Sequence, residues 1–497
     1  MAEIITNPTA QASANSNILE LLQTHVTQLQ QMLDQFREQP LTPAAFCDLE
    51  NRMKACLREG GRRLLEWLLA QLEPATREQT TPRVQFQRET YRRRPKQPKT
   101  IYSTFGPIEY SRFRYEACER GEASIFPLDL MLGLEAHLAT PALAEHVGRL
   151  AVHHEQSQVL AVLAREHGVC WAVKTLRKVT ASLANGLASF REAGQVRQAI
   201  HWLQQAFASK GRYRPVLAAG RDGIMIPMRK SGFKEACAAT LAIYGRNGKR
   251  LGTLYLGTMP EPGQATMTKQ LKSLIEKILA AWHARGADCP RLAYLTDGGY
   301  HPREFYQRVL RKMIDPWFQD GRKLGWQWVL DFWHACGYVG KLAAALFGDG
   351  TKQANAWFGR MRHWLRDRRG GISEVLRSAT QHQNQRHLSK TRDEAFWTAY
   401  RFLRKNKVWM QYADYRRVGM PIGSGVTEAA CKTVFTQRLK RSGMAWKTEG
   451  GQVIVDLRVL HLSGIWQQVH TESLHARPLP IVASGKPFST NFFKNAA

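Results

Sequence analysis

Three short apolar runs in the middle of the chain each stop on an aspartate: Pro215-Val216-Leu217-Ala218-Ala219-Gly220-Arg221-Asp222, Arg291-Leu292-Ala293-Tyr294-Leu295-Thr296-Asp297 and Trp326-Gln327-Trp328-Val329-Leu330-Asp331. Runs of this length and content read as buried strands. After the first come strands over 238–244 and 251–256, joined by Gly245-Arg246-Asn247-Gly248 as a hairpin. A helix over 267–282 follows, with Leu271, Leu274, Ile275, Ile278 and Leu279 on one face. A second helix separates the last two runs.

The order βββαβαβ predicts an α/β RNase H-like core, a mixed sheet with helices whose carboxylates sit at strand ends. An unpaired carboxylate at such a place costs several kcal/mol unless a cation or donors compensate it. Asp222 precedes Gly223, and Asp297 precedes Gly298-Gly299, so there is room for a metal and a phosphate beside both. A third acid, Glu428, lies in Gly423-Ser424-Gly425-Val426-Thr427-Glu428-Ala429-Ala430-Cys431-Lys432, which reads as a helix start. Two strand-end aspartates and one helix-borne glutamate make a hard oxygen site suited to two Mg²⁺ ions on a scissile phosphate, with Mn²⁺ as the expected substitute. Lys432, one turn beyond Glu428, is placed to meet a phosphate. Asp331 also ends an apolar strand and is the alternative second ligand; Gly298 and Gly299 favour Asp297, because Phe332 and Trp333 crowd Asp331. His334 and Asp331 are expected beside the metal site, with His334 contacting the scissile phosphate or a base, orienting Asp297, or packing with Trp333.

The chain divides around this core. Residues 1–76 are helical, with Leu19, Leu22, Val26, Leu29, Met32, Leu33 and Phe36 at spacings of three and four; they pair with another copy or pack on their own domain. Residues 77–136 hold a basic linker and a hairpin. From Arg77 to Arg114 there are ten basic residues against Glu78, Glu89 and Glu109. Tyr91 to Lys99 should be extended linker because of Pro95 and Pro98, and the hairpin should turn at Gly106-Pro107. Arg92, Arg93, Arg94, Lys96, Lys99, Arg112 and Arg114 would then face a nucleic-acid backbone, or form the solvated face of an ordinary ribbon. Residues 137–210 read as a helix-turn-helix: a helix over 158–165, a turn at Glu166-His167-Gly168-Val169, and a second helix over 170–183 offering Lys174, Arg177 and Lys178 to a major groove. The core occupies 211–340 and 419–470, the latter bearing the Glu428 helix, and 471–497 is a tail. Residues 341–418 are an all-helical insertion, in which 352–417 carry 16 Lys+Arg against 5 Asp+Glu. The aromatics of that insertion fit its core better than a base-stacking surface.

The whole chain has 71 Lys+Arg and 41 Asp+Glu, a net charge of +30, and this surplus asks for a polyanionic partner. No apolar run reaches the ~20 residues of a membrane span, so no membrane partner is expected. The N-terminus does not read as a signal peptide, and the scattered cysteines, without a C-x-x-C, fit a reducing compartment.

At these residues the sequence resembles the DDE transposases of bacterial insertion sequences, and within the Mutator-like set the ISKra family. The carriers are Leu295-Thr296-Asp297-Gly298-Gly299, Trp328-Val329-Leu330-Asp331-Phe332-Trp333-His334-Ala335, Gly423 to Glu428, and Thr436-Gln437-Arg438-Leu439-Lys440-Arg441-Ser442-Gly443-Met444 with Trp446. Asp331 to His334 matches an Asp-x-x-His signature of that superfamily. Thr104-Phe105-Gly106 and Phe126-Pro127-Leu128-Asp129 resemble the family's region before the catalytic core. The likeness spans about 98–466. It implies DNA transposition by hydrolysis and transesterification on double-stranded DNA, both transposon ends and target, by a homodimer or higher oligomer in the bacterial cytoplasm at the nucleoid. Lys432, Arg438, Lys440 and Arg441 are its further DNA-binding candidates. Many relatives carry a Cys-rich zinc element near Cys118, but Cys118-Glu119-Arg120-Gly121 has no partner cysteine, and no zinc is expected. Two other readings remain: a structure-specific nuclease of the same fold, and an inert DNA-binding regulator derived from a transposase.

Overall fold

The computed structural model describes residues 8–73, 81–119, 123–486 and 488, with side chains from residue 18 onward. It is a mixed α/β protein with two sheets, one antiparallel and one mixed. The chain forms two compact units, Met1–Gly186 with His470–Ala497, and Leu187–Val469.

In the first unit, α1 (Pro8–Arg37) packs on α2 (Pro43–Leu72), whose N-terminus is capped by Thr42 accepting the Ala45 N–H at 3.1 Å. Leu21, Leu29, Met32 and Phe36 are half-buried, while Leu19, Leu22, Val26 and Leu33 stay exposed. A sheet follows from β1 (Arg83–Phe86), β2 (Glu89–Ser103) and β3 (Gly106–Ala117), with Ile481–Val482 at its far edge. The expected linker is thus most of a 15-residue strand. The ladder absorbs Pro95 by slipping register between Arg93 and Lys96, so the residue without an N–H falls in a bulge. The hairpin turns two residues early, at Thr104-Phe105, with Ser103 paired to Gly106; Gly106 takes φ +111° as the first residue of β3. Arg77, Glu78, Arg120 and Gly121 lie outside the described residues.

Four helices come next: α3 (Pro127–Met131), α4 (Pro141–His153), α5 (Gln156–His167) and α6 (Val173–Ala208). Gly168, at φ +65°, ends α5, and Leu143, Val147, Val159, Leu163, Leu176 and Val179 form one core. The two-helix reading needs correction in its second member. That helix starts three residues later than expected and continues to Ala208, because apolar residues recur beyond 183, no proline interrupts them, and Gly186 and Gly194 are tolerated within it.

The second unit is built on β4 (Val216–Met228), β5 (Gly232–Tyr244), β6 (Arg250–Thr258), α7 (Ala265–His283), β7 (Arg291–Thr296), α8 (Tyr300–Arg308), β8 (Gln327–Leu330) and α9 (Phe332–Phe347). Their spatial order is β6-β5-β4-β7-β8; β4 pairs antiparallel with β5 and parallel with β7, which pairs parallel with β8. Alternating side chains send Leu217, Ala219 and Tyr294 to one face, against Leu271, Ile275 and Ile278 of α7. Ala218, Ala293, Leu295 and Val329 go to the other, against Ala335, Val339 and Leu342 of α9. The stretch after α9 is helical as expected: α10 (Lys352–Asp367), α11 (Gly371–Asn384), α12 (Lys390–Asn406) and α13 (Tyr412–Arg417). Its Trp357, Met361, Phe396 and Leu403 are buried in the α9-side core, as their spacing predicts. The chain then returns through α14 (Gly425–Ala430), a π-helical turn Cys431–Thr436, α15 (Gln437–Leu439), α16 (Thr448–Leu462) and α17 (Trp466–His475). Among the described residues no helix is long and apolar enough to cross a membrane.

Candidate active site

The sheet's parallel half decides where the acids emerge. Pairing of β4 with β7 ends at Gly220↔Leu295, because β7 stops at Thr296. Asp297 is therefore the first residue past a strand, as expected. Asp222 is not at a strand end: β4 runs on to Met228, paired with β5 alone, and Asp222 stands in mid-strand opposite Ala238. The run was expected to stop at Asp222, with Gly223 leaving room beside it; in the fold a Cβ on Gly223 would stand 2.0 Å from Oε1 of the exposed Glu235 side chain.

Each acid is held by a local donor. Asp222 Oδ1 accepts the Gly223 N–H at 2.8 Å, and the Cys431 thiol lies 3.6 Å from Oδ2. Asp297 Oδ1 accepts the Gly299 N–H at 2.8 Å, which fixes the start of α8. Gly298 makes this turn at φ +86°, where a Cβ would also meet Leu330 Cδ1 at 2.7 Å. Glu428 Oε1 accepts the Ser424 hydroxyl at 2.7 Å, one turn earlier on α14. The helix itself lies directly on the sheet: Thr427 Oγ1 is 2.8 Å from Thr240 Oγ1 of β5, and a Cβ on Gly220 of β4 would fall 1.9 Å from Thr427 Oγ1.

The three acids share one electrostatic environment. Burial, then the negative charges of Asp297 and Glu428, push the Asp222 carboxyl above its usual range, while the Gly223 amide and Cys431 oppose the rise. Burial and neighbouring Asp222 push the Cys431 thiol up, so it stays protonated and donates. Among the described residues none of the three acids has a Lys or Arg within ion-pair distance. Among the described residues, as their side chains stand, no group of three or more His, Cys, Asp and Glu could hold a single ion. The donor set is nonetheless of the hard-oxygen kind that Mg²⁺ takes, and the repulsion felt by Asp222 is what a cation there would relieve.

Asp331 has a different task. It is 1% exposed, and both its oxygens are used: Oδ1 accepts the His334 N–H at 2.5 Å as the N-cap of α9, and Oδ2 accepts the Ser424 N–H at 2.6 Å. So engaged, the carboxylate braces the start of α9 against Ser424, whereas Asp297 is held by a single local N–H. Through Ser424 it steadies Glu428. The exposed His334 ring lies edge-on to Tyr338 and Phe402, with centroids 5.4 and 5.7 Å away, and makes no hydrogen bond to Asp297 among the described residues. Sequence reasoning missed Ser424, Thr427, Cys431 and Gly220. Only Ser424 had a readable signal, a hydroxyl four residues before Glu428 at a helix start.

The basic candidates divide. Arg92, Arg94, Lys174, Arg177, Lys178, Lys432 and Lys440 are exposed; Arg94 pairs with Glu116, and Arg177 donates to Gln156 at 2.9 Å. Arg93 and Lys96 stand over the Phe113 ring, and Lys99 and Arg114 are half-buried. Arg441 donates to the Gln437 carbonyl at 2.7 Å. Two assignments are corrected. Arg112 is buried, paired with Asp129 at 3.1 Å, and lies over Phe126 with 3.8 Å to the ring centroid. Arg438 is 1% exposed and faces the Trp446 ring. Both guanidiniums serve the interior. The sequence matches no protein-family model and no curated protein.

Proposed function

We propose that the chain is a DDE transposase with an RNase H-like catalytic core, which binds the terminal inverted repeats of its insertion sequence and catalyses Mg²⁺-dependent strand cleavage and strand transfer. The observation that carries this reading is the convergence of Asp222, Asp297 and Glu428, from three separated parts of the chain, beside the interior strands β4 and β7 of a sheet ordered β6-β5-β4-β7-β8. Acids left without a cationic partner in a chain of net charge +30 are what a phosphodiester chemistry needs and what stability alone does not.

Mg²⁺ held by these three carboxylates would activate a water or 3′-hydroxyl and stabilise the leaving oxygen. The chain's own contribution is placement. Gly299 and Gly223 amides fix the two aspartates, Ser424 fixes Glu428, and Asp331 ties Ser424 to the first turn of α9. The exposed cations of β2 and of the start of α6 in the first unit, and separately those of the 352–417 helices in the second, supply electrostatic attraction for DNA. In this reading the start of α6, with Lys174, Arg177 and Lys178, reads terminal-repeat bases.

Incubating the protein with Mg²⁺ and DNA spanning either end of its own element tests the proposal. Nicks at the element boundary and joined products support it. Cutting confined to branched DNA lacking the ends would favour the nuclease reading, and binding without any cutting the regulator.

A further inference from the structure

Of the 14 tryptophans and 14 tyrosines, one of each is exposed: Trp333 at 63% and Tyr300 at 73%. Both stand beside the carboxylates. Tyr300 is the first residue of α8, three past Asp297, and follows the Gly299 whose N–H Asp297 holds. Trp333 lies in the first turn of α9, two past Asp331. Its indole comes within 3.6 Å of where a Cβ on Gly423 would stand, next to the Ser424 that bonds Glu428. Because β7 and β8 are adjacent and parallel, with strands about 5 Å apart, α8 and α9, which carry the two rings in their first turns, start from the same end of the sheet.

A large aromatic ring left in water forgoes the burial that makes it stabilising, and every other Trp and Tyr here obtains at least partial burial. Two exposed rings at one sheet end therefore call for a flat, apolar-faced partner. The charge of +30 and the neighbouring acids make that partner a nucleobase, since the phosphates it carries are drawn to the cations while the acids face the scissile group. A base within a duplex has both faces covered by its neighbours, so a stacking ring needs one that has left the stack.

We propose that Tyr300 and Trp333 stack on unpaired bases next to the scissile phosphate, so that the substrate at this site is DNA locally opened out of the duplex. The proposal rests on the carboxylate cluster being a DNA-processing site, and its test separates the two. With the full-length protein, anisotropy of a fluorescein-labelled oligo(dT) reports single-strand binding whether or not any DNA is cut. Trp333→Ala and Tyr300→Ala should each weaken it about tenfold, the loss expected for one base–aromatic stack, while Trp333→Phe and Tyr300→Phe keep most of it. Unchanged oligo(dT) affinity in both alanine variants, with unaltered circular dichroism, overturns the proposal. In a second arm, the alanine variants should cleave fully paired ends at least tenfold more slowly than wild type and recover on ends mismatched beside the cut. Equal impairment on paired and mismatched ends overturns it as well. Wild-type protein that binds oligo(dT) through these rings but cuts nothing leaves the stacking proposal standing and removes the transposase reading.

Discussion

Asp129 and Asp222 are the same residue type in the same strongly basic chain, and the protein treats them in opposite ways. Asp129 is 3% exposed, paired with Arg112 and bonded by the Tyr110 hydroxyl. Its charge is neutralised from within, and the guanidinium also covers the Phe126 ring. Asp222 lies at a site shared with Asp297 and Glu428, where the nearby charges have its own sign. The first arrangement is a self-contained interior pair. The second has no cation within the protein to offset it, and in the reading proposed above a bound metal ion would do so.

The largest effect should come from the incomplete set. Asp222→Ala, Asp297→Ala or Glu428→Ala should each lower strand cleavage roughly a thousandfold or more, the scale of several kcal/mol of lost charge stabilisation. The melting temperature should stay level or rise, because a mutual repulsion is relieved. A variant that melts early and cuts normally would erase the contrast. Asp129→Ala should do the reverse: loss of about 3–5 kcal/mol in chemical denaturation of the first unit, from stranding Arg112 in the interior.

Glu73 sharpens the comparison, since it is buried in the first unit and only partly compensated. Burial pushes its carboxyl up to about 7, against the Phe113 N–H that it accepts and the charges of Lys96 and Arg112; the charge of Asp129 adds to the rise. The unfolded chain releases this proton near 4.5 and the folded one near 7. Stability should therefore fall as pH rises between those values, by about 3 kcal/mol in all, and level off above. Glu73→Gln should flatten the slope in urea melts at stepped pH. The smallest effect belongs to the brace. Asp331→Ala should cost about 1–2 kcal/mol through a lost helix cap. Cleavage should slow more than that loss explains, because Ser424 and Glu428 lose their anchor.

The core's strand order could be read because strands that are buried on both faces leave long apolar runs, and each run here is bounded by turn residues. The places of Asp297 and Glu428 in the fold could be read for the same reason: each lies where such a run or a capped helix changes character. Asp222 was misplaced in its strand, because the end of β4's pairing with β7 is decided by the length of β7, a separate stretch of chain. Pro95 misled for a related reason, since a bulge forgives a proline only when a partner strand is there to slip against. Arg112 and Arg438 looked like surface cations because arginine usually is one, and their partners Asp129 and Trp446 are not neighbours in sequence. The length of α6 was underestimated at the point where a short second helix was expected.

The contact between Gly220 and Thr427 carries one more consequence. Elsewhere in the second unit, helix and sheet are separated by a layer of side chains, which can swell or shrink by a methylene as sequences drift. Under α14 that layer is thinned at one point, where the Thr427 hydroxyl seats against Gly220 through a missing Cβ and meets Thr240. At that point the distance between the strand that bears Asp222 and the helix that bears Glu428 is set by direct contact, and a side chain at position 220 would have to change it. In mechanical terms the contact is a gauge block set between the supports of the two acids.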